Sequence, residues 1–346
     1  CSFMKQILAF VVGYMVALHA VASPGPEKLK AMEAPLASKS LLLDIVAIEQ
    51  SKLVAVGERG HILFSHDAKH WQQANVPIQS TLTSVFFLNE SLGWAVGHDA
   101  SILHSNDGGE HWQIQQYLPE LEKPLFDVVF KDANNGIAIG AYGEFFRTQD
   151  GGKHWKIEFH EEFLSLDDRD YLAELKAEDQ QAYNDEIASI LPHFNRLFND
   201  DGTLYLAGEI GLLAKSHDFG VSWQKFDEIY QGSFFDISRT QDGNLLAVGL
   251  RGNVFRSIKN GTKWQHIATQ TTGLLNSVVL GGDNQMFLLG NNGVLLESKD
   301  DGQTFDLRIQ ADGKAMIAGV WFDNRIVAVS DVGIKIITPK NSGLSE

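Results

Sequence analysis

Twelve histidines and 44 acidic residues give this 346-residue chain ample means for metal or acid–base chemistry, so spacing has to decide what they do. His70, His111 and His154 each precede a tryptophan in a separate copy of one recurring phrase, so they cannot meet at a single ion. No H-E-x-x-H, cysteine cluster, phosphate-binding loop or G-x-S-x-G nucleophile turn is present. His98 beside Asp99 is the one histidine–carboxylate neighbour pair on the face of interest, and a single pair does not make a ligand set. These residues assign no catalytic group, metal or cofactor.

The elements that carry them are repeats. A β-prone run ends in glycine, two variable residues follow, a second glycine usually comes next, and a new β-prone run begins. The copies start at Gly57, Gly97, Gly140, Gly208, Gly249, Gly290 and Ser330, at spacings of 40, 43, 68, 41, 41 and 40. A period near 41 made of short strands predicts an all-β fold, a seven-bladed β-propeller with one copy per blade. In the second repeat, runs at 82–88, 92–96, 101–104 and 112–116 read as four antiparallel strands joined by tight polar turns. The phrase Ser-x-Asp-x-Gly-x-x-Trp follows the third strand at Ser105–Trp112, Thr148–Trp155 and Ser216–Trp223, with weaker copies at Ser257–Trp264 and Ser298–Phe305, a shorter one at Ser65–Trp71 and none in the last repeat. Its Ser and Asp can bond nearby backbone, its glycine accepts positive φ, and its aromatic packs on the blade.

The last repeat has three strands, so the N-terminal stretch around 27–37 is expected to supply the missing outer strand and close the ring. The spacing of 68 contains an acidic insert over 160–187, where Ser165 can cap a helix and Leu172, Leu175, Tyr183 and Ile187 recur at helical spacing. With strands named a to d from channel to rim, the b–c turns and the d-to-a crossovers share one face. The insert is such a crossover, between blades 3 and 4. The variable turn residues Glu58, Arg59, His98, Asp99, Tyr142, Glu209, Arg251, Asn291, Asn292 and Asp331, with Tyr171, Leu172 and Leu175 of the insert, are therefore the expected partner-binding set.

A net charge of −16 opposes nucleic acid and anionic membrane surfaces as partners. Lys5, the apolar run 7–18 and Ala20-Val21-Ala22 read as a signal peptide over residues 1–22, with Met4 as the expected start. The remainder, 23–346, is expected to be one exported propeller, monomeric and periplasmic or secreted. It lacks the single cysteine, Cys1.

The turn phrase resembles the Asp-box of neuraminidase-type repeat proteins, where such boxes lie at the blade periphery. That resemblance keeps an Asp-box glycoside hydrolase or glycan-binding propeller as the alternative. Sialidases need an arginine cluster for the substrate carboxylate, whereas only Arg59 and Arg251 of nine arginines fall in b–c turns. The longer pattern at Leu125–Trp155, with the blade count and export signal, resembles the photosystem II stability/assembly factor-like family over the whole mature chain. The resemblance implies a non-enzymatic assembly factor that binds a membrane or envelope protein and works in the lumen if the source is phototrophic. The resemblance implies an arginine-rich patch in phototroph members; here Arg147 and Arg256 occupy one motif slot and Arg59 and Arg251 the turn slot.

Overall fold

The computed structural model describes residues 30–258, 261–282 and 284–339, and the segment 1–22 expected to be a signal peptide lies outside them. Seven antiparallel sheets surround a channel: six have four strands in sequence order and the seventh has three. Blade 2 is typical, with strands Leu82–Phe87, Gly93–Gly97, Ile102–Ser105 and Gln113–Gln116. The a strands, such as Leu42–Ile48, Leu125–Phe130 and Phe194–Asp200, pack against one another around the ring. Seven apolar clusters lie between neighbouring blades, so each seam has its own core. At the seam of blades 2 and 3, Trp94 stacks on Phe130 with centroids 3.5 Å apart. Such a pair adds roughly 0.5–1.5 kcal/mol to the burial of its surface.

Close approach explains why the b–c turns keep their first glycine. A Cβ at Gly97 would lie 2.1 Å from the Thr81 carbonyl oxygen, and one at Gly57 2.2 Å from that of Leu41. Those same oxygens accept the next backbone N–H, from His98 at 2.9 Å and Glu58 at 3.1 Å. The bond recurs in every blade, from Ala141 to Pro124, Glu209 to His193, Leu250 to Ser233, Asn291 to Leu274 and Asp331 to Ala315. It ties each turn to the start of its own a strand. The second variable residue then takes a left-handed conformation, as in Arg59 (φ 57°), Tyr142 (φ 53°) and Arg251 (φ 58°).

Ring closure differs from the expectation. The last sheet contains Met316–Phe322, Arg325–Ser330 and Gly333–Ile337, and no N-terminal strand joins it among the described residues. Residues 30–39 instead run as a strap over blade 1. Ala31 N–H donates to Val76 O at 2.9 Å, and Gln73 bonds both Met32 O and Ala34 N–H. The strap then turns through Ala37–Lys39, where the Ser38 carbonyl abuts Gly333. Crossover carbonyls of Ile78, Tyr230 and Thr271 fill the same slot beside Gly60, Gly211 and Gly252. The strap thus takes the place of a crossover rather than of a strand. Pro35 within it has no N–H to give to a ladder. Apolar packing of Leu42, Leu53 and Ala55 against Phe322, Val327 and Val329 closes the seam.

Gly97→Ala should cost about 1–3 kcal/mol in chemical denaturation, because backbone rather than a flexible side chain blocks the new methyl. Gly282, with open space around it, should accept alanine within about 0.5 kcal/mol. Equal costs at the two sites would refute the close-approach account.

Candidate functional site

Every a strand carries a bulge at its second residue, seen as the register breaks Leu42/Asp44, Leu82/Ser84, Phe194/Arg196, Phe234/Asp236, Leu275/Ser277 and Met316/Ala318, and as Ile139/Gly140 opposite Leu125–Asp127 in blade 3. A bulge lets two consecutive side chains share one side of a strand. The pairs Leu43–Asp44, Asn195–Arg196, Phe235–Asp236, Asn276–Ser277 and Ile317–Ala318 accordingly all line one cavity of about 330 Å³ at the channel mouth. Thr83, Phe126, His193 and Glu209 complete its wall.

Two alternating sets of hydrogen bonds hold these residues. Asp44 accepts from Val85 N–H at 3.0 Å, Asp127 from Leu197 N–H at 2.7 Å and Asp236 from Val278 N–H at 2.8 Å, joining blades 1 to 2, 3 to 4 and 5 to 6. Thr83 donates to Leu125 O at 2.5 Å, Asn195 to Phe234 O at 2.8 Å and Asn276 to Met316 O at 2.8 Å, joining blades 2 to 3, 4 to 5 and 6 to 7. Ile317 and Ala318 occupy these positions in blade 7, so the seam to blade 1 has no such bond from them.

Arg196 is the cation in this ring, 3.4 Å from Asp236 and 3.7 Å from Asp127. Asp127 first, then Asp236 and Asp44, raise its affinity for its proton, against the cost of burial. Burial pushes the Asp44 carboxyl up to about 6, with Arg196 and the Val85 N–H pulling the other way. Burial also raises Asp236. At the rim, His193 makes an edge contact with Tyr142 at 4.6 Å and lies 3.6 Å from the Glu209 carboxylate.

Of the residues expected from sequence, Glu209 lines the cavity and Tyr142 stands beside it. Arg59, His98, Arg251, Asn292 and Asp331 are exposed in their turns, while Glu58, Asp99 and Asn291 are half-buried. Asp99 accepts a bond from Ser80, and Asn291 one from Asn276. The insert forms helices α1 (Leu166–Glu178) and α2 (Gln180–Ile187), with Ser165 accepting from Asp168 N–H as the expected cap. Leu172 requires correction as a contact residue. It is 4 % exposed and packs with Phe163, Leu191, Phe194 and Leu212, so it anchors the insert to the core of blades 3 and 4. Leu175 is half-buried, and Tyr171 remains exposed. Lys123 fastens the other end, reaching Glu144 and the Ala188 carbonyl past the end of α2.

The remaining motif residues serve the scaffold. In the box of blade 2, Ser105 donates to Asp107, Asp107 accepts the N–H groups of Glu110 and His111, and the His111 ring lies 2.7 Å from its carboxylate. His70 and His154 repeat that contact with Asp67 and Asp150. Arg147 donates to the Phe219 and Gly220 carbonyls, and Arg256 to Asp301, so both clamp neighbouring blades. The sequence reading missed the channel ring. Its signal was present: a polar residue recurs in six of the seven a strands opposite the residue before the turn glycine, at Asp44, Ser84, Asp127, Arg196, Asp236 and Ser277.

These carboxylates act on stability in opposite senses. The folded state holds the Asp44 proton more tightly than an unfolded chain with the ordinary value of 3.8, so its contribution is greatest below pH 4 and is lost as pH rises through about 6. Asp107 is desolvated, yet the His111 N–H and ring hold it down at about 2, so its contribution is present above pH 4 and lost towards pH 2. Asp44→Asn should flatten the stability profile between pH 4 and 6 and leave the acid limb in place. An unchanged slope in that interval would contradict the assignment.

A sequence profile described as Photosynthesis system II assembly factor YCF48 matches residues 63–121. The Photosystem II assembly protein Ycf48 of Thermosynechococcus vestitus is 27 % identical over 68 % of this chain and 61 % of its own length. That of Synechococcus sp. JA-2-3B'a(2-13) is 48 % identical over 15 % of this chain and 16 % of its own, so the matches span less than two thirds of these relatives. A solved structure of YCF48 bound to D1 peptide shares the fold at TM-score 0.66 and 18 % identity, covering 88 % of this chain and 95 % of that one. YCF48 from Cyanidioschyzon merolae gives 0.66 at 16 % identity, over 89 % of this chain and 98 % of that one. Virginiamycin B lyase from Staphylococcus aureus also reaches 0.66 at 10 % identity, over 87 % and 96 %, so fold alone does not carry an activity. The profile match and the curated relatives make the chain similar to photosystem II assembly factors of the Ycf48 type, and the solved structures share its seven-bladed fold.

Proposed function

We propose that this propeller is a non-enzymatic assembly factor, exported to the periplasm or lumen, that docks a membrane or envelope protein on its b–c face. The observation that carries this reading is one backbone turn repeated around the channel mouth with changing side chains. Geometry is constant there and chemistry varies, as a recognition surface requires. Tyr142 and Ile210 present apolar surface on that face, 46 % and 71 % exposed. A groove of about 590 Å³ runs beside Ile210 between blade 4 and the start of α1. The relative solved with a D1 peptide supports a membrane-protein segment as the type of client. The box carboxylates, bonded within their own turns on the opposite face, offer hydrolysis no free acid–base pair.

Deleting the insert would uncover the core around Leu172, so point variants make the better test. Tyr142→Ala with Ile210→Asp should weaken binding of a D1 peptide, or photocrosslinking to membrane protein in the native envelope, at least tenfold. Val221→Asp, on the box face at a residue 67 % exposed, should leave both unchanged. Equal effects from the two faces would overturn the reading.

A further inference from the structure

We infer that the channel mouth is a receptor for one organic cation, an alkylammonium or guanidinium group, with Asp44 and Asp236 as counter-ions and Phe126 and Phe235 as walls. The inference goes beyond protein docking on this face and can be tested without any partner.

Charge balance carries it. Asp44, Asp236 and Glu209 line the cavity and Asp127 adjoins it, while Arg196 is the one arginine or lysine in its wall. Arg196 is engaged by Asp127 and Asp236. Asp44 is 6 % exposed and has no cation at ion-pair distance among the described residues. Its bonds come from neutral donors, the Ser84 hydroxyl and the Ile45 and Val85 N–H groups. Arg196 acts on Asp44 only from beyond ion-pair distance, so burial of this carboxylate stays costly, and the rise of Asp44 to about 6 expresses that cost. A cation entering from the b–c face would relieve it. Phe126 and Phe235 line the cavity, and aromatic side chains attract organic cations. A divalent metal fits less well, because no group of three His, Cys, Asp or Glu side chains is placed to ligate one among the described residues.

The test titrates the full chain with n-butylammonium and with ethylguanidinium, using butanol as the neutral control, followed by amide NMR shifts and melting temperature. Saturable shifts around Asp44 and Phe126, with a raised Tm, are expected for the cations alone. Asp44→Asn should weaken binding at least tenfold; Asp236→Asn should act in the same direction and serves if the first variant fails to fold. Lowering the pH from 7.5 to 5 should also weaken it. Asp44 faces Arg196, Asp127 and Asp236, with His193 and Glu209 at the rim, so that arm is repeated in His193→Gln to separate the imidazole from the carboxylate. Displacement of butylammonium by a lysine-bearing peptide, but not by its acetylated form, identifies a partner side chain as the source. Failure of that displacement beside intact cation binding identifies a free amine. No saturable binding, equal binding of butanol, or binding unchanged in both aspartate variants overturns the inference.

Discussion

The ring depends on a backbone problem solved at each a strand. Blades meet nearly edge to edge at the channel, where a bulge frees N–H and C=O groups that side chains of the neighbouring blade must satisfy. Carboxylates do this at three seams by accepting from Val85, Leu197 and Val278, and a hydroxyl and two amides do it at the next three by donating to Leu125, Phe234 and Met316. Acceptor and donor seams alternate around the circle. The channel chemistry follows from that arrangement: three carboxylates are committed to the scaffold, and Arg196 offsets part of their charge. The same residues that hold the blades in register therefore set the electrostatics of the cavity.

Blade number, the strands of each blade, the box turns and the position of the helical insert were legible in the sequence, because each is a local pattern repeated at a fixed period. Leu82–Phe87 reads as a strand from its own residues, and Ser165 reads as a cap from its own neighbours. The channel ring was not legible in that way. Asp44 and Leu43 look like ordinary alternating strand positions until the bulge turns both toward the axis. Leu172 was misread for a related reason. Its helical spacing marks an apolar face correctly, but spacing does not say whether that face meets a partner or the protein's own core. The N-terminal closure failed at the level of pairing. The stretch does reach the last blade, yet it arrives as a turn whose carbonyl fills a crossover slot.

The insert carries ten carboxylates against two cations between residues 160 and 187 and stands on the b–c face. Arg147 and Arg256 are consumed between blades, which leaves Arg59 and Arg251 as the cations of the variable turns. Beside those two cations the insert makes this face predominantly acidic.

The apolar seam between blades 7 and 1 gives the molecule a preferred order of assembly. Six seams join neighbours in the chain, so they can form as the polypeptide emerges and propagate as an open arc. The seventh brings distant parts of the chain together at the entropy cost of that closure, and among the described residues Ile317 and Ala318 supply none of the side-chain hydrogen bonds that align the other six. Hydrophobic contact is tolerant of small angular errors where a hydrogen bond is not. The last joint can accordingly absorb whatever mismatch has accumulated around the circle, and the propeller closes without strain being forced back through its blades.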